Sequence, residues 1–562
     1  MKVRVPLMVQ DPMTARYKGI AEVEHSYITE EDFFLDGPVT ERVAVLDFDP
    51  GTGALSPGAR FLPPGPGKTL GRYDVPDTVQ TDPPGFIQVN AFATVLKTIY
   101  MVENALGRRV TWAFDGPQLF VVPRAGDDAN AYYERDSHSL QFFCFDHPDY
   151  PGDKARRVHT CLSRDVVAHE TGHAILDGIA PDLYDAVTPQ SLAFHEALAD
   201  LTALFMAFRS PKLTDAVLGA TGGSIADSNA FSAVAEEFGT ALEPAAHVGY
   251  LRNLKNDKTL KRGGAARAEP HELSEVLSGA LYAVMIKLHE KLKREYDDGD
   301  AAALFSASGR ALAVGGDQLL RMLFRAVDYL PPGEVSFADF GRAIIADDQA
   351  HYPATGDVRK WIKEEFVKRR MVLNAGALQV KTNYRSRALD DVDLETLVES
   401  DWAAYDFANR NGRLLGIPAD KPFEVRPRLK VDKVYYTGGH KKVSECLFKV
   451  SWTNVEPNGL GSRFPSRRRV TVGTTLAIDW DTKLVRARLT SDRRGRPEEE
   501  KEQRRDRHAM LCGLVEADLL KLDEDALGPD GRPLRAAVRA ESTQDAIRVR
   551  GTARTLHIVR GL

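Results

Sequence analysis

Two histidines four residues apart, His169 and His173, enclose Glu170 in the segment VVAHETGHAILDGIA. The apolar residues around them recur at helical spacing, and residues four apart share one face of a helix, so both imidazoles reach one metal ion. Glu170 stands beside them, where a carboxylate takes a proton from a metal-activated water. The spacing therefore predicts a metal centre with hydrolytic chemistry.

Zinc needs a third protein ligand, and Glu196 supplies a carboxylate from the next helical segment, HEALAD. Two consecutive helices packed antiparallel bring Glu196 to the ion that the histidines bind. Asp200, one turn further on, can accept a hydrogen bond from the non-ligating nitrogen of a zinc histidine. Gly172 costs about 1 kcal/mol relative to Ala in a helix interior, which predicts close approach of another element. The alternative is a buried helix whose polar side chains satisfy one another without a metal.

The elements that must position these residues fall into four regions. Residues 1–80 carry strand-like pieces and turns, 81–268 combine strands with the helices of the metal motif, 269–375 have the apolar spacing of helices throughout, and 376–562 alternate like strands. Within the second region, QVNAFATVLKTIYMVENALGR predicts a helix that ends near Gly107. We expect an α+β protein with an N-terminal β-leaning cap, a mixed lobe, a helical lobe and a β-rich C-terminal domain of unknown role.

The composition narrows the class of protein. With 43% hydrophobic and 27% charged residues, the 562-residue chain is neither disordered nor fibrous. The net charge is 74 − 80 = −6, and the charged run DRRGRPEEEKEQRRDR interleaves both signs without aromatic residues, so we expect no nucleic-acid partner. The four cysteines form no disulfide framework and suit a reducing compartment.

The N-terminal segment predicts neither export nor a membrane anchor. It has no apolar stretch followed by a small-residue cleavage site, so we expect no secretory signal. The apolar stretches LTALFMAF and GALYAVMI are shorter than a membrane span. We expect a cytoplasmic protein without a membrane partner, and export by a non-classical route is the alternative.

From about residue 80 to residue 372, the chain resembles the thermolysin-like zinc metallopeptidases, of the gluzincin type. DVVAHETGHAILD is similar to the helix that carries the family's zinc histidines, and HEALAD is similar to its N-E-x-x-x-D segment. The resemblance implies a two-lobed fold and Zn²⁺ as the cofactor. The family usually has Asn where this chain has His195. The implied residues are the zinc ligands His169, His173 and Glu196, the catalytic base Glu170, the histidine partner Asp200, and the flanking carboxylates Asp165 and Asp177.

The resemblance extends to residues that contact substrate. Asn130-Ala131-Tyr132-Tyr133 is similar to the edge strand that aligns the peptide through the Asn130 side chain and the Ala131 backbone. Tyr184 falls where the family carries a tyrosine that stabilises the oxyanion. Leu251-Arg252-Asn253 resembles Leu-Arg-Ser, whose arginine binds a substrate carbonyl.

The helical lobe begins with the segment that resembles the family's second catalytic histidine. We assign His271 to that role because Pro270-His271 precedes the helical lobe, with His247 as the weaker candidate. The chain departs from the family's pattern here, since Ser-Gly follows only at Ser278-Gly279. Eleven residues after Glu196 the family often places a calcium-binding Glu, and this chain has Ala207. We therefore expect the double calcium site to be missing.

Together these features predict a zinc metalloendopeptidase acting on a protein or peptide substrate. Glu170 serves as general base, and Tyr184 and His271 steady the oxyanion. The resemblance implies a preference for substrates with an apolar residue just after the cleaved bond. Members of the family usually have an export signal and a propeptide, and we expect neither in this chain. Two alternatives stay open: a non-catalytic binding protein on a peptidase scaffold, and a zinc exopeptidase. The C-terminal domain is a candidate module for an unidentified partner.

Overall fold

The computed structural model describes residues 1–13, 20–147, 156–235, 239, 250–261, 269–297, 303–352, 356–436, 440–523, 538–543 and 545–551. Helices and open sheets both contribute to this part of the chain, which makes the protein α+β, as predicted.

The helices cluster in the middle of the chain. The described α-helices are α1 (Gly85–Leu106), α2 (Arg164–Ile179), α3 (Pro189–Ala207), α4 (Pro211–Ala220), α5 (Pro270–Tyr296), α6 (Ala303–Tyr329), α7 (Phe337–His351), α8 (Asp357–Lys368), α9 (Leu394–Glu399), α10 (Asp401–Arg410), α11 (Gly412–Leu415) and α12 (Pro497–Glu516). The predicted helix before Gly107 is confirmed as α1, and Gly107 ends it with φ 79°. Proline opens both α3 and α5, where its fixed φ suits the first turn.

The strands lie mainly in the first 160 and the last 180 residues. They are β1 (Lys2–Met8), β2 (Val23–Ile28), β3 (Val43–Val45), β4 (Phe61–Leu62), β5 (Leu70–Tyr73), β6 (Leu119–Val122), β7 (Ala131–Glu134), β8 (Ser139–Phe142), β9 (Cys144–His147), β10 (Arg156–His159), β11 (Ala233–Val234), β12 (Arg252–Asn253), β13 (Thr382–Tyr384), β14 (Phe423–Val425), β15 (Leu429–Tyr436), β16 (His440–Pro457), β17 (Arg467–Asp479), β18 (Val485–Thr490), β19 (Leu520–Leu522), β20 (Val538–Thr543) and β21 (Ala546–Gly551).

These strands form separate sheets. The N-terminal strands pair in the order β2-β1-β5-β4, and a second sheet has the order β3-β6-β8-β7, which leaves β7 at an edge. Strands β13–β21 build one nine-stranded sheet around the long antiparallel pair of β16 and β17. This large sheet occupies the region whose alternating pattern predicts strands.

Helices α2 and α3 pack against each other in the interior, and Gly172 marks their closest approach. A Cβ added at Gly172 would lie 3.1 Å from Cα of Ala199 and 3.1 Å from Oγ1 of Thr202. Contacts of that length are tighter than nine in ten of those that real Cβ atoms make, so an alanine at this position would force its neighbours to shift by a few tenths of an ångström. The close approach predicted for Gly172 is confirmed.

Among the described helices, α1 alone is long and apolar enough to span a membrane, and the bent pair of α3 and α4 passes the same test if it is counted as one segment. Most of α1, 83% of its apolar window, is buried inside the protein. Burial on that scale is typical of a core helix.

The buried apolar residues connect the four predicted regions. One cluster includes Val5 from the cap, Phe92 from α1, Leu281 from α5 and Ala477 from the large sheet. A second cluster lies within the C-terminal region, around Phe448 and its neighbours. The predicted boundaries near residues 80, 268 and 375 stay predictions.

Candidate metal centre

Helices α2 and α3 bring two imidazoles and a carboxylate together. Nε2 of His169 lies 3.0 Å from Nε2 of His173. Glu196 places Oε2 at 3.4 Å from the first nitrogen and Oε1 at 3.5 Å from the second. A carboxylate oxygen of Glu170 lies within 4.8 Å of a ring nitrogen of each histidine. This buried group of His169, Glu170 and His173 could hold a metal ion.

The Glu196 carboxylate is fully buried, and neither of its oxygens has a hydrogen-bond partner in the described part of the chain. Three imidazoles face it at ion-pair distances of 3.3 to 3.5 Å. Burial alone would raise the pKa of Glu196, but the charges of the imidazoles hold it well below its ordinary value. The carboxylate is therefore an anion that lacks a close donor.

Asp200 and Arg252 lie behind His169. Asp200 Oδ1 is 2.9 Å from Nδ1 of His169. Arg252 Nε donates to both Asp200 oxygens, at 3.0 and 2.9 Å, and its Nη2 donates to Oδ1 at 2.7 Å. Burial would raise the pKa of Asp200, but the Arg252 and His169 charges lower it. An ionised Asp200 accepts from Nδ1–H, so loss of the other ring proton on metal binding would leave the Nε2 lone pair facing the centre.

These contacts also set the charge of His169. Burial lowers the pKa of the imidazole, but the nearby carboxylates of Asp200 and Glu196 raise it to about 10. Arg252 is itself only 6% exposed, and its Nη2 lies 3.3 Å from Nδ1 of His169. The resemblance implies that Arg252 binds a substrate carbonyl. Its contact with Asp200, 52 residues away in the chain, is not predicted from the sequence.

His195 lies behind the second histidine. Its Nδ1 is 2.7 Å from Nδ1 of His173, and the two rings stack with centroids 4.9 Å apart. One nitrogen of such a pair must donate. For Nε2 of His173 to bind a cation, its lone pair must face the centre, and the ring proton must then lie on Nδ1 and be donated to His195.

The start of α5 brings His271 to the same cluster. Its Nε2 lies 3.3 Å from Oε2 of Glu196, and its Nδ1 lies 3.1 Å from Oε1 of Glu269. The sequence reasoning missed Glu269, although an acidic residue two positions before a histidine at a helix start is a local signal. The weaker candidate, His247, lies outside the described residues.

Asp177 and Tyr184 belong to another buried group, at the C-terminal end of α2. Arg135 Nε and the Tyr133 hydroxyl each donate to Asp177 Oδ2 at 2.8 Å. Burial raises the pKa of Asp177, while Arg135 opposes that shift. The Tyr184 ring lies 4.3 Å from the Arg135 guanidinium and edge-on to Tyr133. The ring contacts of Tyr184 within the described residues are with this group, so its role at the oxyanion stays a prediction.

The substrate strand predicted at Asn130 and Ala131 corresponds to β7. This strand pairs with β8 and forms the edge of its sheet. It also packs beside α2. Asn130 Oδ1 accepts from the backbone N–H of Ala131 at 2.9 Å, so the side chain holds the start of the strand. An edge strand beside α2, the helix that carries His169 and His173, has the backbone groups that an extended peptide pairs with.

Asp165 and Ala207 occupy the positions that the resemblance links to flanking carboxylates and calcium. Asp165 lies in the first turn of α2, where its oxygens accept from the backbone N–H of Val166 at 3.0 Å and of Ala235 at 2.6 Å. It therefore ties β11 to the start of α2. Ala207 ends α3 and brings no side-chain oxygen.

No protein-family model matches the chain, and no curated protein is significantly similar to it.

A second group of potential metal ligands joins α7 to the large sheet, and the sequence reasoning did not predict it. Asp347, His351 and Glu445 place ligand atoms within 4.8 Å of one another. Lys433 Nζ lies 2.9 Å from Asp347 Oδ1 and 2.9 Å from Glu445 Oε2. Burial would lower the pKa of Lys433, but the two carboxylates raise it. The ammonium therefore takes the place of a metal cation.

Proposed function

We propose that the protein is a zinc-dependent metallopeptidase that cleaves internal peptide bonds of a protein or peptide substrate. The observation that carries this proposal is the convergence of His169, His173 and Glu196 from two packed helices, with Glu170 beside them. The helices α5–α8 and the mixed region before them support the two-lobed thermolysin-like arrangement that we propose with it.

The donor set fits zinc. Ligand atoms about 2.0–2.2 Å from a tetrahedral zinc lie about 3.3–3.6 Å from one another. The two imidazole nitrogens in this chain are 3.0 Å apart, and the two oxygens of Glu196 lie 3.4 and 3.5 Å from them. The Glu196 oxygens, buried and without hydrogen-bond partners among the described residues, are the groups that a cation would satisfy. Two His and one Glu leave the fourth zinc position open, as in catalytic sites. When bound, zinc polarises a carbonyl and lowers the pKa of water.

The chain's own residues supply the proton transfers. Glu170, 3% exposed and adjacent to His169, takes the proton of the attacking water and delivers it to the leaving amine. Nε2 of His271 faces Glu196 in the candidate metal centre, and its Nδ1 contacts the Glu269 carboxylate. An imidazole held in this way can donate a hydrogen bond to the oxyanion. Asp200 and His195 hold the two ligand imidazoles in orientation.

The compartment that we propose is the cytoplasm. All four cysteines, at positions 144, 161, 446 and 512, are free thiols. Free thiols are the normal state of cysteine in a reducing compartment.

Metal content and a mass-resolved digest test this proposal together. Purified protein is analysed for bound metal by mass spectrometry, and unstructured casein is digested with and without a chelator. We expect about one zinc per chain and internal cuts that the chelator abolishes. Zinc with only terminal trimming would favour the exopeptidase, zinc without any cleavage would favour the binding protein, and a chain that takes up no zinc would refute the proposal.

A further inference from the structure

Helix α10, near the start of the C-terminal region, exposes two aromatic side chains on one face. Trp402 is 79% exposed, more than any other large apolar side chain of the described residues, and Tyr405 is 48% exposed. The two residues are three apart in the helix, so their side chains are neighbours on its surface. The opposite face holds the helix on the protein, because Ala404, Phe407 and Ala408 are buried. Trp402 therefore lies outside the packing that holds α10.

Tyr405 is held in place by a second ring. It stacks on Phe423 of β14, with the ring centroids 5.0 Å apart and the planes 17° apart. Phe423 in turn packs against the second apolar cluster. We call Trp402, Tyr405 and Phe423 the aromatic face. Rings that are already ordered lose little side-chain entropy on binding, and Trp and Tyr carry much of the binding energy at the centres of interfaces.

The chain around the aromatic face is acidic. Residues 388–409 include seven Asp and Glu and no Lys or Arg. Two of these carboxylates have arginine partners outside the segment: Asp401 pairs with Arg428 at 2.7 Å, and Asp406 pairs with Arg410 at 2.9 Å. The acidic segment thus contains the helix that presents the exposed rings.

Glu395 and Glu399 of α9 have no such partner. They are four residues apart in the helix, both are exposed, and neither forms an ion pair in the described part of the chain. Like charges at this spacing repel each other. The Lys483 ammonium donates to the Asp390 carbonyl at 3.4 Å, before the start of α9 and away from Trp402. A cation of a partner would relieve the repulsion between the two glutamates.

We propose that the aromatic face and the two α9 glutamates bind an arginine-rich segment of a partner protein. The exposed ring of Trp402 offers its electron-rich face to a guanidinium, and arginine stacks on such rings. Glu395 and Glu399 supply carboxylates that further arginines of the same segment can pair with. A neutral apolar partner would leave these carboxylates without a counter-charge, so charge complementarity favours the basic segment. The proposal does not depend on the peptidase chemistry.

Fluorescence anisotropy of labelled octa-arginine, titrated with the full chain at neutral pH and constant ionic strength, tests the surface. We expect saturable binding of one peptide per chain and no comparable binding of octa-glutamate. W402A should bind octa-arginine at least about tenfold more weakly, since it removes the central ring. This variant leaves the net charge unchanged, so it separates the site from general attraction to an acidic protein. Leu373, 73% exposed, provides the matched control, and L373A should keep the affinity of the unmodified chain.

Absence of saturable octa-arginine binding to the unmodified chain would overturn the proposal. Unchanged affinity in W402A would also overturn it, because general surface charge would then explain the binding. W402L keeps an apolar side chain but lacks the ring, and it should lose as much affinity as W402A. E395Q/E399Q should bind octa-arginine more weakly and with less dependence on salt concentration. Sedimentation gives the remaining test: a dimer of the unmodified chain that W402A abolishes would assign the surface to a second copy and overturn the proposal.

Discussion

His173 and His195 approach each other through their Nδ1 atoms, 2.7 Å apart, at the back of the candidate metal centre. Both rings are fully buried, so the contact fixes the orientation of His173 without competition from solvent. Partners of this kind tune a metal ligand through the nitrogen that does not bind the ion. With the His173 proton on Nδ1, His195 would supply the acceptor for it.

Replacement of His195 tests this contact. We expect H195L to weaken zinc affinity about 10–100-fold, because Nδ1–H of His173 loses its acceptor. H195N restores an acceptor oxygen and should bind zinc more tightly than H195L. A competition titration against a chelating dye measures both affinities. Equal affinities for H195L and the unmodified chain would show that the contact does not orient the ligand.

Glu170 should be needed for turnover and not for metal binding. We expect E170Q to keep about one zinc per chain and to lose at least about 10²-fold in turnover, since the amide is not a base. Metal analysis and peptide hydrolysis are measured on the same preparation. Glu272, exposed in the first turn of α5, provides the control variant E272Q, which should retain activity. Unchanged turnover in E170Q would refute the mechanism.

Gly172 has little room for an added carbon. We expect G172A to lose about 1–3 kcal/mol of unfolding free energy, because Ala199 and Thr202 would have to shift by a few tenths of an ångström to admit its Cβ. Gly309, within α6, has nothing within 4 Å of an added Cβ. G309A should therefore gain about 0.5–1 kcal/mol from helix propensity. Chemical denaturation of both variants measures the difference, and a stabilised G172A would contradict the close packing.

Low pH should weaken the ion pairs that connect α7 with the C-terminal region. Asp339 is buried among three guanidiniums, with Arg342 at 2.9 Å and Arg496 at 3.2 Å, and it also pairs with Arg493. Burial raises the pKa of Asp339, but the guanidiniums hold it well below its ordinary value of 3.8. Its stabilising contribution is present above the unfolded pKa and is lost as pH falls towards the folded pKa.

Denaturation followed by the fluorescence of the C-terminal tryptophans measures this effect. We expect the denaturant midpoint to fall between about pH 5 and about pH 3. D339N should have a lower midpoint at neutral pH and a flatter acid response. D391N, in an exposed turn, should behave like the unmodified chain. An acid response that D339N leaves unchanged would assign the effect to other carboxylates.

The parts of the protein that depend on local spacing were predictable from the sequence. The helical period places His169, His173 and Glu196 on two successive helices, and the glycine inside α2 indicates their contact. The position of Tyr184 was less accessible, because it depends on the path of the chain after α2 and on Arg135, far away in the sequence. The parallel pairing of β17 with β21 and the contact of Lys433 with Asp347, 86 residues apart, have no local signal.

Two groups of histidine and carboxylate side chains are found among the described residues, and they differ in the cation that each can hold. Lys433 supplies the cation in the group of Asp347, His351 and Glu445. The cation between Asp347 and Glu445 is a side chain, so its local concentration is fixed by the fold and not by the supply of metal. A chelator that removes metal from the candidate centre between α2 and α3 would therefore leave the contact between α7 and the large sheet intact. Metal depletion would stop the proposed hydrolysis without detaching the C-terminal region, and added zinc would restore the hydrolysis.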